Sequence, residues 1–217
     1  MSTSTADNDM YQLEEGHLSV DFVNTSYIKI DETAPIGYTT IDESLTDLAA
    51  LGAWGVKVGL LQQSEADLLN QPPDKGSESR LVRLRELREA LRQVIRAHLH
   101  EHAIPEPSLD ILNQSFTPLC SQSRLVATDE GFRVERADAV AKTRDQVFDC
   151  VFWSIGQSAI NLLTDPEELD MITECPADDC GYLFRDTSHG RRRWCSMKSC
   201  GNRAKVHRFR ERQKASA

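Results

Sequence analysis

The sequence predicts a mainly α-helical protein that closes with a small cysteine-ligated module and a basic helix. Three observations carry this reading. Two long segments, near 77–102 and 137–163, repeat apolar residues at spacings of three and four. Four of the six cysteines crowd into the last 43 residues as Cys-x4-Cys-x14-Cys-x4-Cys. Charge is also divided unevenly. The chain carries a net charge of −9, yet residues 175–217 hold 11 Lys+Arg against four Asp+Glu, leaving 14 basic and 30 acidic residues for the rest. An acidic body bearing a basic module is therefore expected. The boundaries read as a flexible tail over 1–12, a helical domain over 13–170 with a small β-hairpin, and the metal module over 171–217. With 217 residues, 40% apolar and 27% charged, the body is long and apolar enough to hold a real core.

The elements follow in order. GHLSVDFVNTS, residues 16–26, reads as a short helix through Leu18 and Phe22 or as a brief strand. Residues 27–41, with Pro35 and Gly37, read as a loop. Residues 42–70 form two helical pieces, the first capped by Asp42 or Ser44 and the second opened by a Ser64–Asp67 capping box. Gln71-Pro72-Pro73-Asp74-Lys75-Gly76 breaks the pattern. The strongest helix then runs from Ser77 to His102, with Leu81, Leu84, Leu91, Val94, Ile95 and His98 on its apolar stripe. Its arginines alternate with glutamates and read as a solvated face. Pro105 and Pro107 end it, and a short helix through Leu109, Leu112 and Phe116 follows. Alternation on either side of Asp129-Glu130-Gly131 predicts a hairpin over 124–136. The second long helix, Ala137 to Leu163, carries Val140, Val147, Val151, Ile155 and Ala159 inward. Cys120 and Cys150 read as packing residues.

Cys175, Cys180, Cys195 and Cys200 have the chemistry of a structural zinc site, because Zn²⁺ favours tetrahedral sulfur ligation and four thiolates close its shell. The two pairs, CPADDCG and CSMKSCG, match each other and both end in Cys-Gly. Gly181 and Gly201 there suit a tight knuckle, by φ > 0 or by close approach. Tyr182–Arg185 and Arg191–Trp194 read as two strands joined across a turn at Asp186–Gly190. His189 is either a further ligand or a turn residue, and four cysteines already complete the shell.

From about Gly201 the chain reads as a helix. At about 100° per residue, Asn202, Val206, Phe209 and Gln213 share a narrow face, with Arg203 and Arg210 on one side and Lys205, Arg208 and Arg212 on the other. Val206 and Phe209 are expected to pack on the module or the body. The flanks, with Arg191, Arg192, Arg193 and Lys198, are free to meet phosphates. Tyr182, Phe184 and Trp194 read as the module's own core or as platforms for RNA bases. No apolar run approaches the roughly 18 residues needed to cross a membrane. The opening MSTSTADNDMYQ lacks a basic and an apolar signal region. A cytoplasmic protein is expected. His98, His100 and His102 read as spread around a helix surface. No phosphate loop or nucleophile–base pair points to an enzyme.

The stretch CPADDCGYLFRDTSHGRRRWCSMKSCGNRAKVHRFRER resembles the CGNR zinc finger, whose signature stands here as Cys200-Gly201-Asn202-Arg203. GHLSVDFVNT, LTDLAALGAWGVKVGLL and AINLLTD resemble the ABATE domain that accompanies it. Together they cover nearly the whole chain. The resemblance implies one structural Zn²⁺ on the four cysteines and a stress-induced bacterial transcription regulator. DNA is then the expected partner. RNA binding and a protein-interaction adaptor are the alternatives. The body is expected to sense a small-molecule effector or to form a homodimer. Asp21 and Asn24 match the body's motif, where they line a ligand pocket or brace the local helix; bracing is the favoured reading. Asn202 is expected to bond the knuckle backbone.

Overall fold

The computed structural model describes residues 17–129, 131–137, 141–177, 179–188 and 190–215. The expected tail over 1–12, Val140 and His189 lie outside the described residues. The mainly α reading holds. Elements run α1 (Leu18–Val23), β1 (Ser26–Ile30), β2 (Tyr38–Glu43), α2 (Leu48–Lys57), α3 (Gln63–Leu69), α4 (Ser77–Leu99), α5 (Glu106–Ser121), β3 (Ser123–Thr128), β4 (Gly131–Arg136), α6 (Arg144–Thr164), α7 (Pro166–Asp170), β5 (Ile172–Glu174), β6 (Leu183–Arg185), a π-turn (Met197–Gly201) and α8 (Asn202–Ala215). The strands form three separate antiparallel pairs, β1–β2, β3–β4 and β5–β6. Among the described residues, no helix is long and apolar enough to cross a membrane.

The core lies where the periodic stripes meet. Leu81, Leu84, Leu87, Leu91 and Ile95 of α4 face Val147, Phe148, Val151, Ile155, Ala159 and Leu162 of α6, all buried. Val20, Phe22 and Val23 of α1 are fully buried beside them, and Phe22 meets Trp54 of α2 at a centroid distance of 5.9 Å. The brief 16–26 run is thus a helix that hands over to a strand at Ser26.

Several boundaries depart from expectation. Residues 27–41 are mostly a hairpin, not a loop. β1 and β2 pair from Ser26↔Glu43 to Ile30↔Tyr38, and Pro35 and Gly37 belong to the connection, where Gly37 takes φ +75°. The cap of α2 is Asp47, whose side chain accepts from Ala50 N at 2.7 Å; Asp42 belongs to β2. The box of α3 begins two residues earlier than expected, with Glu65 accepting from Gln62 N at 2.9 Å. Pro105 and Pro107 open α5. α6 starts at Arg144, because the Thr143 side chain accepts from Gln146 N, and not at Ala137. The β3–β4 hairpin stands as expected. Cys120 is exposed and Cys150 only half-buried, so Cys120 is not a core residue.

α4 ends at Leu99, short of His102. His102 N donates to Ala97 O and Glu101 N to His98 O, the paired bonds of a Schellman ending, with Glu101 at φ +53°. The three histidines therefore do not share one helix; His98 approaches Asp170 at 3.3 Å and His100 approaches Glu174 at 2.6 Å.

The arginines of α4 are not a solvated face. Arg92 is fully buried and donates to Val23 O and Ser26 Oγ; Arg88 is 3% exposed and grips both oxygens of Glu43. Arg85 donates to Leu45 O, Arg96 pairs with Glu174 at 2.9 Å, and Arg83 lies 4.0 Å over the Phe152 ring. Long guanidinium arms collect the backbone oxygens of the α1–β1 corner, which lies too far along the chain for any helical ladder to reach.

Candidate metal centre and basic helix

β5 delivers Cys175 to the centre and pairs with β6 as Ile172↔Arg185, Thr173↔Phe184 and Glu174↔Leu183. Cys175 N donates to Tyr182 O and Cys180 N to Ala177 O, both at 2.9 Å, which closes the first knuckle. The second knuckle is the π-turn. Ser196 Oγ accepts from Lys198 N and Ser199 N, and Gly201 N donates to Ser196 O at 2.9 Å. All four cysteines are buried.

Their sulfurs all lie within 4.8 Å of one another, with Cys180–Cys195 at 3.9 Å and Cys195–Cys200 at 3.6 Å. A tetrahedron with Zn–S near 2.3 Å has edges of roughly 3.8 Å, whereas a disulfide needs about 2.05 Å. The donor set fits one zinc ion. Without a cation such crowding forces the thiols to share protons. Hydrogen bonds from neighbouring thiols pull Cys175 down to about 2, while the hydrogen bond with Cys175 pushes Cys180 up to about 12. A divalent cation relieves this conflict, since thiolates are the metal-binding form. Four thiolates leave no open position for water, so the ion is structural.

The expected second strand over Arg191–Trp194 is absent; β6 pairs backward with β5 instead. Asp186 causes the difference. Its carboxylate accepts from Ser188 N at 2.7 Å and from Gly190 N at 2.6 Å, and Ser188 Oγ accepts from Arg192 N at 2.8 Å. Side chains thereby occupy backbone donors that a ladder would need. Arg192 then donates to Trp194 O and Cys195 O and lies 4.6 Å over the Phe184 ring. Phe184 is fully buried, and Tyr182 and Trp194 pack against the cysteine cluster, so these aromatics form the module's core.

Gly181 and Gly201 do not take positive φ; both serve close approach. A Cβ at Gly181 would lie 2.3 Å from the Ile28 side chain of β1, and one at Gly201 would lie 2.8 Å from Met197 Sδ.

Two signature side chains serve the centre itself. Asn202 Nδ2 donates to Lys198 O at 3.1 Å, bracing the π-turn. Arg203 donates to Cys200 Sγ at 3.1 Å and to Asp179 Oδ2 at 2.8 Å. The hydrogen bond to Cys200 raises the guanidinium's pKa above its ordinary value. Asn24 crosses from the body: Nδ2 donates to Leu183 O at 2.7 Å and Oδ1 accepts from Leu183 N at 3.0 Å. Tyr27 adds a bond to Asp179 O at 3.1 Å. Asn24, Tyr27, Asp42 and Ser44 face Ser196 and Lys198 across a crevice of about 420 Å³. Asp21 is not part of it; its charge acts on Lys57 of α2. Sequence reasoning missed Asp179 and Ser196, and placed Asp186 in a turn without seeing what it binds. Asp186 sits before a short polar run, the ordinary signal of a side chain that caps a turn.

Arg191, Arg193 and Lys198 are exposed on the loop and π-turn, and Lys205, Arg208, Arg210 and Arg212 are exposed along α8. Val206 and Phe209 do not pack on module or body; they are 47% and 62% exposed. From Lys205 to Lys214 every residue of α8 is exposed. A groove of about 1120 Å³ is lined by Val206, Arg208 and Arg210 of α8 together with Ala177, Arg193 and Lys198.

A multihelical body clamped to a Cys₄ zinc finger defines the class of protein. Residues 16–166 match the ABATE family, described as "Putative stress-induced transcription regulator", and residues 171–213 match the CGNR zinc finger. The chain belongs to the ABATE family and carries a CGNR zinc finger. No curated protein matches it.

Proposed function

We propose that the protein is a zinc-stabilised, DNA-binding transcription regulator whose α8 is the contact helix. The observation that carries this is the uncovered state of α8, a 14-residue helix anchored to the zinc knuckle at one end only. An isolated helix shorter than about 12–15 residues is marginal in water, so a partner that covers α8 would stabilise it. Duplex DNA suits its surface. A helix about 10–12 Å across fits a major groove about 12 Å wide. The strip of Val206, Phe209 and Gln213 would then face base edges. Lys205, Arg208 and Arg212 would reach one phosphate wall and Arg210 the other, with Arg191, Arg193 and Lys198 extending the positive surface. Zinc does no chemistry in this reading; it holds the root of α8. An effector entering the crevice beside Asn24 would act on the knuckles directly.

The test is sequencing of nucleic acid crosslinked to the protein in cells, with DNase and RNase controls. A few enriched promoters are the expected result. Structured RNA would move the reading to an RNA-binding protein, and captured protein alone would move it to an adaptor. In vitro, binding should weaken steeply with salt, and Arg208→Gln with Arg212→Gln should flatten that slope. An unchanged slope would reject α8 as the contact.

A further inference from the structure

Beyond its base, where Ser123 Oγ accepts from Trp153 and Arg136 donates to Gln146 O, the β3–β4 hairpin belongs to neither hydrophobic cluster. Its pairs Leu125↔Val134 and Ala127↔Phe132 put four apolar side chains on one face. That face is open: Phe132 is 74% exposed, Leu125 68% and Val134 45%. Among the described residues, no strand lies on the outer edge of β4. Edge strands are usually blunted by charges, lysine above all, by proline or by a bulge; β4, Gly-Phe-Arg-Val-Glu-Arg, has no lysine, proline or bulge, and its three charges are of both signs, so a second copy can complement them.

We propose that β4 is the homodimer interface, pairing antiparallel with β4 of a second copy to make a four-stranded sheet. Symmetry and charge together choose the register. A two-fold antiparallel pair keeps each side chain on its own face of the sheet, so the ladder must centre on a residue. Centring on Arg133 sets arginine against arginine, and centring on Glu135 sets glutamate against glutamate. Centring on Val134 sets Arg133 opposite Glu135 twice, once on each side of the axis. It also joins the two valines across the axis and lays Phe132 along the aliphatic stem of Arg136. Opposite charges across a ladder stabilise it, and like charges oppose it. Glu135 already accepts cis contacts from Arg133 and Arg124, so its carboxylate lies among guanidinium groups on the face where the second Arg133 would arrive.

Backbone geometry agrees. The two-residue connection between Thr128 and Gly131 makes them a mutually hydrogen-bonded pair, and such pairs alternate down the ladder. Val134, opposite Leu125, therefore turns its N–H and C=O outward, as do Phe132 and Arg136. These are the residues that meet one another in the register centred on Val134. The inference does not depend on what α8 binds.

The test is sedimentation equilibrium of the full zinc-loaded chain, with metal content and far-ultraviolet dichroism as controls of folding. A monomer–dimer equilibrium in the micromolar range is expected, as befits a small interface. Arg133→Glu or Glu135→Arg alone should weaken it by tenfold or about that, and the double exchange should restore it. Val134→Pro removes an N–H that the β3–β4 ladder does not use, so the hairpin should persist, as dichroism would check, while the dimer is lost. A chain that stays monomeric throughout, a double exchange as weak as the singles, or a Val134→Pro chain that still dimerises would each overturn the proposal.

Discussion

The carboxamide of Asn24 hydrogen-bonds the backbone of Leu183 in both directions, at 2.7 and 3.0 Å, as a neighbouring strand would. One body side chain thereby docks the strand that follows the first zinc knuckle. Asn24→Ala leaves a backbone donor and acceptor without partners at a half-buried joint. The expected loss is about 2 kcal/mol, seen as a lower Tm together with faster zinc release to a chelator. Asn24→Asp keeps the acceptor but sets a carboxylate against Leu183 O, and it should be as damaging. Unchanged release kinetics in both variants would contradict the clamp.

Arg203 offers a second separation of roles. Its guanidinium faces the Cys200 thiolate and Asp179, so Arg203→Gln should hasten zinc exchange several-fold by removing positive charge beside the sulfur. The salt dependence of nucleic-acid binding should change less than in Arg208→Gln. A larger effect on the salt slope than on zinc exchange would assign Arg203 to phosphate instead.

Much of this was legible in the sequence, and the limit has a physical cause. The four cysteines and the stripes of α4 and α6 announce themselves by local spacing, which survives without knowledge of the fold. Arg88 and Arg92 do not. Their type argues for solvent, and only the distant carbonyls of the α1–β1 corner explain their burial. The clamp by Asn24 spans 159 positions and carries no periodic signal. Arg191–Trp194 has the composition of a strand, yet Ser188 takes the Arg192 N–H and Asp186 the Gly190 N–H just before it.

Acid stability should report the Arg88–Glu43 pair. Burial raises the pKa of Glu43, but the hydrogen bonds and charge of Arg88 outweigh it and hold the carboxyl below its ordinary 4.5. A depressed carboxylate contributes stability above its unfolded pKa and loses it as pH falls through the folded one. Wild type should therefore exceed Glu43→Gln near neutrality, with the gap closing below about pH 4.5. Comparing the two chains by denaturant titration cancels the common effect of zinc loss in acid. A gap that does not narrow as the pH falls below about 4.5 would rule this account out.

The ending of α4 predicts a gain. Glu101 sits at φ +53° inside a Schellman motif, a conformation that costs a non-glycine residue about 1 kcal/mol. Glu101→Gly should raise stability by about 0.5 kcal/mol after the greater freedom of the unfolded chain is deducted. Differential scanning calorimetry would register it as a small upward shift in Tm, and a drop would show that the Glu101 side chain makes a contribution of its own.

The bareness of α8 bears on how such a protein can diverge. From Lys205 to Lys214 its residues are all exposed, so substitutions there meet little packing penalty. The scaffold and this exposed surface are separable. With α8 as the contact helix proposed above, a change of target could be written into the ten exposed positions from Lys205 to Lys214 while the body, the crevice and the zinc stay as they are.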